Sequence, residues 1–364
     1  MMSVCRSLDF VMAKSLSAQQ MDPETSDRAL RSSGRLPLGA LLALALVLAI
    51  SLSHLAVAQQ DAVLDVVATT GMVGDIVREV AGPCAQVTVL MGPGIDPHLY
   101  RASAGDVDRL ARAELIVFNG FDLEGQLGAV LARLGQRVPT LALAERIADE
   151  LDGDALLEGE DQYAGRTDPH LWGAVELWAL GVGVVEEVLS ELQPGCADGF
   201  AERANTYASE LGALHEWALE SAASVPAAWR TIVSPHDAFA YFGIAYGFAV
   251  AGIEGISTES EASIADIRET ADLVMETGVP AIFVETTISP RTIEAVLAAV
   301  RDRGAEVVIG GELFGDAMGE AGTPEGTYVG MVRHNVETVI TSLGGRSAPW
   351  PEALDEWARR WSER

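Results

Sequence analysis

With 364 residues, 49% apolar and 21% charged, the chain is long enough for two domains, each with its own core. Its 24 Lys+Arg face 53 Asp+Glu, a net charge of −29. Such a surface excludes nucleic acid as a partner, since phosphate neutralisation needs basic residues. It favours solubility and attracts cations only through a weak, salt-screened field.

Residues 1–35 are polar, and Arg28, Arg31 and Arg35 precede a 15-residue apolar run, Leu36–Ile50. Ala56-Val57-Ala58 has the small-x-small form of a signal-peptidase site, so residues 1–58 are expected to be a secretory signal. The long polar segment leaves Met12 and Met21 as alternative starts. An uncleaved anchor over Leu36–Val57 is the other reading, as that stretch can just span a bilayer. No cysteine follows the apolar run where a lipoprotein would need one. Export places Cys84 and Cys196 in an oxidising compartment, where a disulfide between them is expected.

Beyond the signal, strand and helix patterns alternate. Ala62–Ala68 reads as a buried strand, Gly71–Val80 as a helix, and Cys84–Met91 as a strand running into a Gly-Pro-Gly loop. Ser103 is placed to cap a helix ending at Ala113. Strands follow at Glu114–Asn119 and Val138–Ala144, with a helix near Leu123–Leu134 between them. Residues 145–167 form an acidic loop with Glu158, Glu160 and Asp161 and without histidine. A helix runs to about Leu192, stopped by Pro194-Gly195. Ala197–Ala223 is a long amphipathic helix, read as a rigid connector. Strands are expected at Thr231–Pro235, Phe248–Ile256, Ala281–Glu285 and Glu306–Ile309. They are interleaved with helices at Ala238–Gly247, Ile264–Thr277, Pro290–Arg303 and Tyr328–Leu343. This is an α/β chain of two lobes, each a parallel sheet flanked by helices, joined by a single long connector helix. The lobes span 59–195 and 226–345, the connector 196–225, and a tail 346–364.

The tetrapeptide Asp-Pro-His-Leu occurs twice, around His98 and again 72 residues later around His170, in a chain with six histidines. Proline fixes its own φ and holds the preceding aspartate extended, so each histidine is delivered from a rigid loop. Ligands in open α/β sheets gather beyond the carboxyl ends of the strands. That rule adds His236 and Asp316, each just past a strand of the second lobe. His236 beside Asp237, and Asp316 in Gly-Asp-Ala, can equally be helix caps. Three imidazoles and a carboxylate suit Zn²⁺ at about 2.0–2.2 Å, or five-coordination if the carboxylate is bidentate. They also admit Mn²⁺ and Fe²⁺. Asp96 and Asp168 are read either as turn residues or as carboxylates that orient the neighbouring histidine. His215 and His334 are read as ordinary packing or surface residues.

The segments GPGIDPHLY, DPHLW, SPHDAFAYFGIAYG, GISTESEAS and GGELFGDAMG are similar to those of the TroA-like periplasmic metal-binding proteins. These are the solute-binding receptors of ABC importers for zinc, manganese and iron. The resemblance runs from about Val63 to Leu343. It implies two α/β lobes joined by one helix and a metal in the cleft on His98, His170, His236 and Asp316. It also implies a monomer that hands its cargo to a membrane permease with a cytoplasmic ATPase. Members dedicated to manganese often carry Glu where this chain has His236, and dedicated zinc receptors often carry a histidine-rich loop that residues 145–167 lack. Zinc is favoured over manganese, with Fe²⁺ third.

The expectation is therefore an exported, non-enzymatic metal receptor. The chain has no GxxxxGK[ST] segment, so the ATPase is another protein. A secreted zinc hydrolase with Glu285 as base, a receptor for a metal chelate, and a purely structural zinc are the alternatives.

Overall fold

Strand β1 (Leu64–Ala68) sends Leu64, Val66 and Ala68 to one face of a sheet and Val67 to the other, the two-residue period of an extended chain. In the computed structural model, which describes residues 63–151, 156–157 and 165–362, both sets are buried. β1 is thus covered on both faces, as a parallel strand requires. β3 (Leu115–Phe118) repeats the pattern, with Leu115 and Val117 on one side and Ile116 on the other. With β2 (Ala85–Val89) and β4 (Thr140–Ala142) they make a four-stranded parallel sheet in the order β2-β1-β3-β4. Helix α1 (Gly71–Ala81) covers the first face. Helices α2 (Ala104–Arg112) and α3 (Gly128–Leu134) cover the second through Leu110 and Leu131. Ser103 caps α2 in a full capping box with Asp106.

The predicted signal segment lies outside the described residues, as do Glu158, Glu160 and Asp161 of the acidic loop. Among the described residues no helix is long and apolar enough to cross a membrane. The reading of 145–167 as loop is corrected at its start. Strand β4 closes at Ala142, and α4 (Leu143–Asp149) follows, burying Leu143, Ala144 and Ile147. Those positions, one turn apart, form a helical face that four acidic or basic neighbours had disguised as solvated loop.

In the second lobe β5 (Thr231–His236) pairs in parallel with β6 (Ala249–Glu254), and β7 (Ala281–Glu285) with β8 (Val308–Leu313). β5 lies beside β7. Again alternate residues part company: Ile232 and Phe283 join the main core, while Val233 and Ile282 pack under two further helices. Strand β8 starts later than the expected Glu306–Ile309 and continues past Ile309 through Gly310-Gly311 to Leu313. A register irregularity opposite Ile282 and Phe283 accommodates them.

Helix α5 (Val175–Leu192) folds back on α6 (Ala197–Ala223), the predicted connector. At 27 residues α6 is about 40 Å long. It packs on α1 of the first lobe and on α10 (Tyr328–Ser342) of the second, after α7 (Ala240–Tyr246), α8 (Ile264–Thr277) and α9 (Arg291–Asp302). Its stripe of Phe200, Ala204, Tyr207, Leu211, Leu214 and Ala218 makes one apolar core continuous from Leu64 to Leu343. The segment read as a tail adds α11 (Asp355–Ser362). Leu354 and Trp357 are buried there, and Trp217 of the connector donates to the Ala348 carbonyl at 3.0 Å.

Cys84 and Cys196 are joined by a disulfide across 112 residues of sequence, tying the start of β2 to the start of the connector. A loop of that length is expected to contribute about 2–4 kcal/mol by restricting the unfolded chain. Intact mass of the unreduced protein should be about 2 Da below the reduced mass, one hydrogen atom per sulfur. Denaturant unfolding of Cys84→Ser/Cys196→Ser should show the loss of stability, and an unchanged midpoint would contradict it.

Candidate metal centre

The two Asp-Pro-His-Leu copies fold alike. In each, the aspartate Oδ1 accepts the backbone N–H of the histidine two residues on, at 2.9 Å, closing an Asx turn around the proline. Beyond that turn they differ. Asp168 Oδ1 also faces the ring Nδ1 of His170 at 2.7 Å. Asp96 instead directs Oδ2 across the cleft, where Thr258 Oγ1 donates to it at 2.6 Å.

His236 is the last residue of β5. Its ring Nδ1 lies 3.0 Å from Oε1 of Glu285, the last residue of the neighbouring β7, and its backbone N–H donates to the same oxygen at 3.3 Å. With Nδ1 protonated toward the carboxylate, the lone pair of Nε2 points the other way. The Glu285 carboxylate is packed so closely on Gly315 that a side chain there would run into it. Glu285 Oε1 thus fixes the orientation of the His236 ring.

Asp316, three residues past β8, completes the set. His98, His170 and His236 place Nε2 at 3.4, 3.3 and 3.2 Å from its carboxylate oxygens. One ligand atom from each of the four residues fits within a mutual distance of 4.8 Å, and all four residues are at most 2% exposed. None of the three Nε2 atoms, nor either Asp316 oxygen, makes a well-formed hydrogen bond. Five buried orphan atoms aimed at one point are costly unless something sits among them. A tetrahedron with bonds of about 2.0 Å has edges of about 3.3 Å, the separation found here. His170 faces one Asp316 oxygen, while His98 and His236 face the other, so bidentate coordination is also open.

The electrostatics carry the same message. Burial would push Asp316 up, but His236 and His170 hold it well below the usual carboxylate range. Burial would lower His170, yet Asp168 and Asp316 raise it to about 9. His236, also opposed by burial, is raised well above its ordinary value by Glu285 and Asp316. Each of these shifts favours positive charge on the rings beside an ionised Asp316.

Sequence reasoning missed the residues that hold the loops. Asn119, just past β3, donates from Nδ2 to the Pro169 carbonyl at 3.0 Å. Glu124 Oε1 accepts from the Asn119 N–H at 2.6 Å and from Thr69 Oγ1 at 2.8 Å. Gly125 packs so tightly on the His98 carbonyl that no other residue fits. One loop, 119–125, therefore braces both histidine loops of the first lobe. Its position at a strand end was the available clue. His334 contacts the Glu312 carbonyl, and His215 lies near Glu176, both away from the cluster as expected.

Residues 66–342 match the family model described as ZnuA, zinc-uptake complex component A, periplasmic. The manganese-binding lipoprotein MntA of Bacillus subtilis is 41% identical over 284 residues, covering 78% of this chain and 90% of that protein. The periplasmic zinc binding protein TroA from Treponema pallidum superposes with a TM-score of 0.73 at 43% identity, covering 78% of this chain and 99% of that one. Fe(III)-bound YtgA from Chlamydia trachomatis does so with 0.70 at 26% identity, covering 78% and 99%. With more than half its length matched and such relatives, the chain belongs to the family of the periplasmic zinc-uptake component ZnuA.

Proposed function

We propose that this chain is an exported receptor that captures one divalent transition-metal ion on His98, His170, His236 and Asp316 and delivers it to an ABC importer. The observation that carries the reading is the convergence of five buried, unpartnered ligand atoms from two lobes. Three imidazoles and a carboxylate favour Zn²⁺, with Mn²⁺ second and Fe²⁺ third. The metal is cargo, and the membrane permease and its ATPase are separate chains. The protein works as a monomer, with the first lobe supplying His98 and His170 and the second His236 and Asp316. A hydrolase would need an open coordination position and a free base. Four protein ligands fill a tetrahedron, and the one acidic candidate, Glu285, is engaged with His236.

Chelator-stripped protein should bind one zinc ion per chain while remaining folded. Asp316→Ala should weaken binding at least roughly tenfold, as it removes an anionic ligand. His236→Glu should narrow the preference for zinc over manganese, because oxygen ligands suit manganese better. Calorimetric competition between the two metals reads both effects, and absence of stoichiometric binding would sink the assignment.

Asp168→Asn and Glu285→Gln should keep the one-to-one stoichiometry but lose about 10–100-fold in affinity, since they free the ligand rings to turn. Wild-type affinity in both would remove the orienting role.

Metal binding must displace protons from the histidines. His170, at about 9, still carries its proton at neutral pH. Affinity should therefore rise with pH through 7 and level off only near 9, with proton release seen as a dependence of binding heat on buffer ionisation. A flat profile between pH 7 and 9 would contradict this.

A further inference from the structure

The two sides of the cleft are closed by different means. Around His170 the lobes are joined by buried hydrogen bonds. Trp172 Nε1 donates to the Gly315 carbonyl at 3.0 Å, Tyr328 Oη donates to the Trp172 carbonyl at 2.7 Å, and Tyr241 Oη donates to the Asp168 carbonyl at 3.3 Å. Around His98 Thr258 Oγ1 donates across the cleft to Asp96 Oδ2, at a half-buried rim. One flank is a buried seam and the other is partly open to solvent.

The partly open flank is also where the site communicates with the outside. A cavity of about 220 Å³ reaches His98 there, walled by Phe121, Arg166 and Pro169 of the first lobe and by Ser257 and Glu259 of the second. Its second-lobe wall is the loop 255–263. That loop starts at the end of β6, where Glu254 is in register with His236, and ends where Ser263 caps α8 in a capping box with Asp266. Both ends are anchored, and Thr258 lies near the middle.

From this geometry we infer that the Thr258–Asp96 hydrogen bond is a latch that sets how fast the bound metal leaves. The inference rests on the receptor reading of the site. Because the ligands are buried, a metal ion can leave only if the wall at 255–263 separates from the loop carrying Asp96 and His98. Asp96 makes this separation felt at the metal, because the carboxylate that Thr258 holds also closes the turn presenting His98. Asp168, the equivalent residue in the other copy, holds its own histidine ring instead, so His170 stays with its lobe. Thr258 and Asp96 are positioning residues, and neither touches the metal.

The test uses the full-length chain loaded with zinc, mixed in a stopped-flow instrument with an excess of chromogenic chelator. Thr258→Val keeps the shape of the side chain and removes the hydroxyl. Zinc release should become roughly tenfold faster, the effect of losing a hydrogen bond to a charged group. The association rate, the one-to-one stoichiometry and the thermal midpoint of the metal-free protein should stay near wild type. Thr258→Ser, which restores the hydroxyl, should release zinc at close to the wild-type rate. Release from Thr258→Val at the wild-type rate would overturn the latch, as would equal acceleration in the valine and serine variants. A wild-type chain that binds no zinc would overturn the receptor reading itself, which is a distinct result.

Discussion

A carboxylate buried among three imidazoles can exist in a folded protein only with positive charge beside it. Asp316 is 1% exposed, and against the effect of burial His236 and His170 hold its carboxyl well below the usual carboxylate range. On the proposed function, a bound metal ion would put charge of the same sign at the same place, so the site would not need to be rebuilt to be filled. The rest of the architecture follows from this constraint. Each imidazole must present a lone pair inward on exchange of its proton, and a partner on the other ring nitrogen fixes that orientation. Asp168 and Glu285 do this for His170 and His236, and both are themselves held by neighbouring backbone or close packing.

Splitting the ligands between two lobes makes the binding geometry a property of lobe position. A connector of loose strands would let the halves swing, and four ligand atoms within 4.8 Å would rarely meet. Here the connector is one helix that shares an apolar core with both lobes, and the disulfide secures its first turn to β2. Large rotations of one half against the other would break that core. Buried hydrogen bonds at Trp172 and Tyr328 place the pivot on the His170 side. What motion remains is concentrated at the opposite rim.

Much of this was legible in the sequence because it depends on local pattern. The boundaries of the connector at Ala197 and Ala223 follow from Pro194-Gly195 and an unbroken helical stripe. His98, His236 and Asp316 could be selected because parallel strands all point their carboxyl ends the same way, and His170 because its tetrapeptide is repeated. Helix α4 and strand β8 were misplaced where charged residues or glycines masked an otherwise regular element. The bracing by Asn119 and Glu124, and the bond from Thr258 to Asp96, leave no local trace. The latter joins residues 162 positions apart, and a threonine in a polar loop looks the same whether or not it has such a partner.

The repeated tetrapeptide shows how the same local fold can be put to two uses. Both copies spend one aspartate oxygen on the turn that presents the histidine. A receptor that only had to hold a metal would gain from using the second interaction as Asp168 does, locking the ring. A receptor that must also give the metal up faces the opposite demand, since zinc held by three oriented imidazoles and a carboxylate leaves slowly. Freeing one ligand while the others keep their geometry lowers that barrier without weakening the closed site. His98 is placed for this: its loop lies at the rim, its aspartate is tied to the other lobe, and it lines the cavity that opens to solvent. Affinity and release are thereby assigned to different copies of one motif.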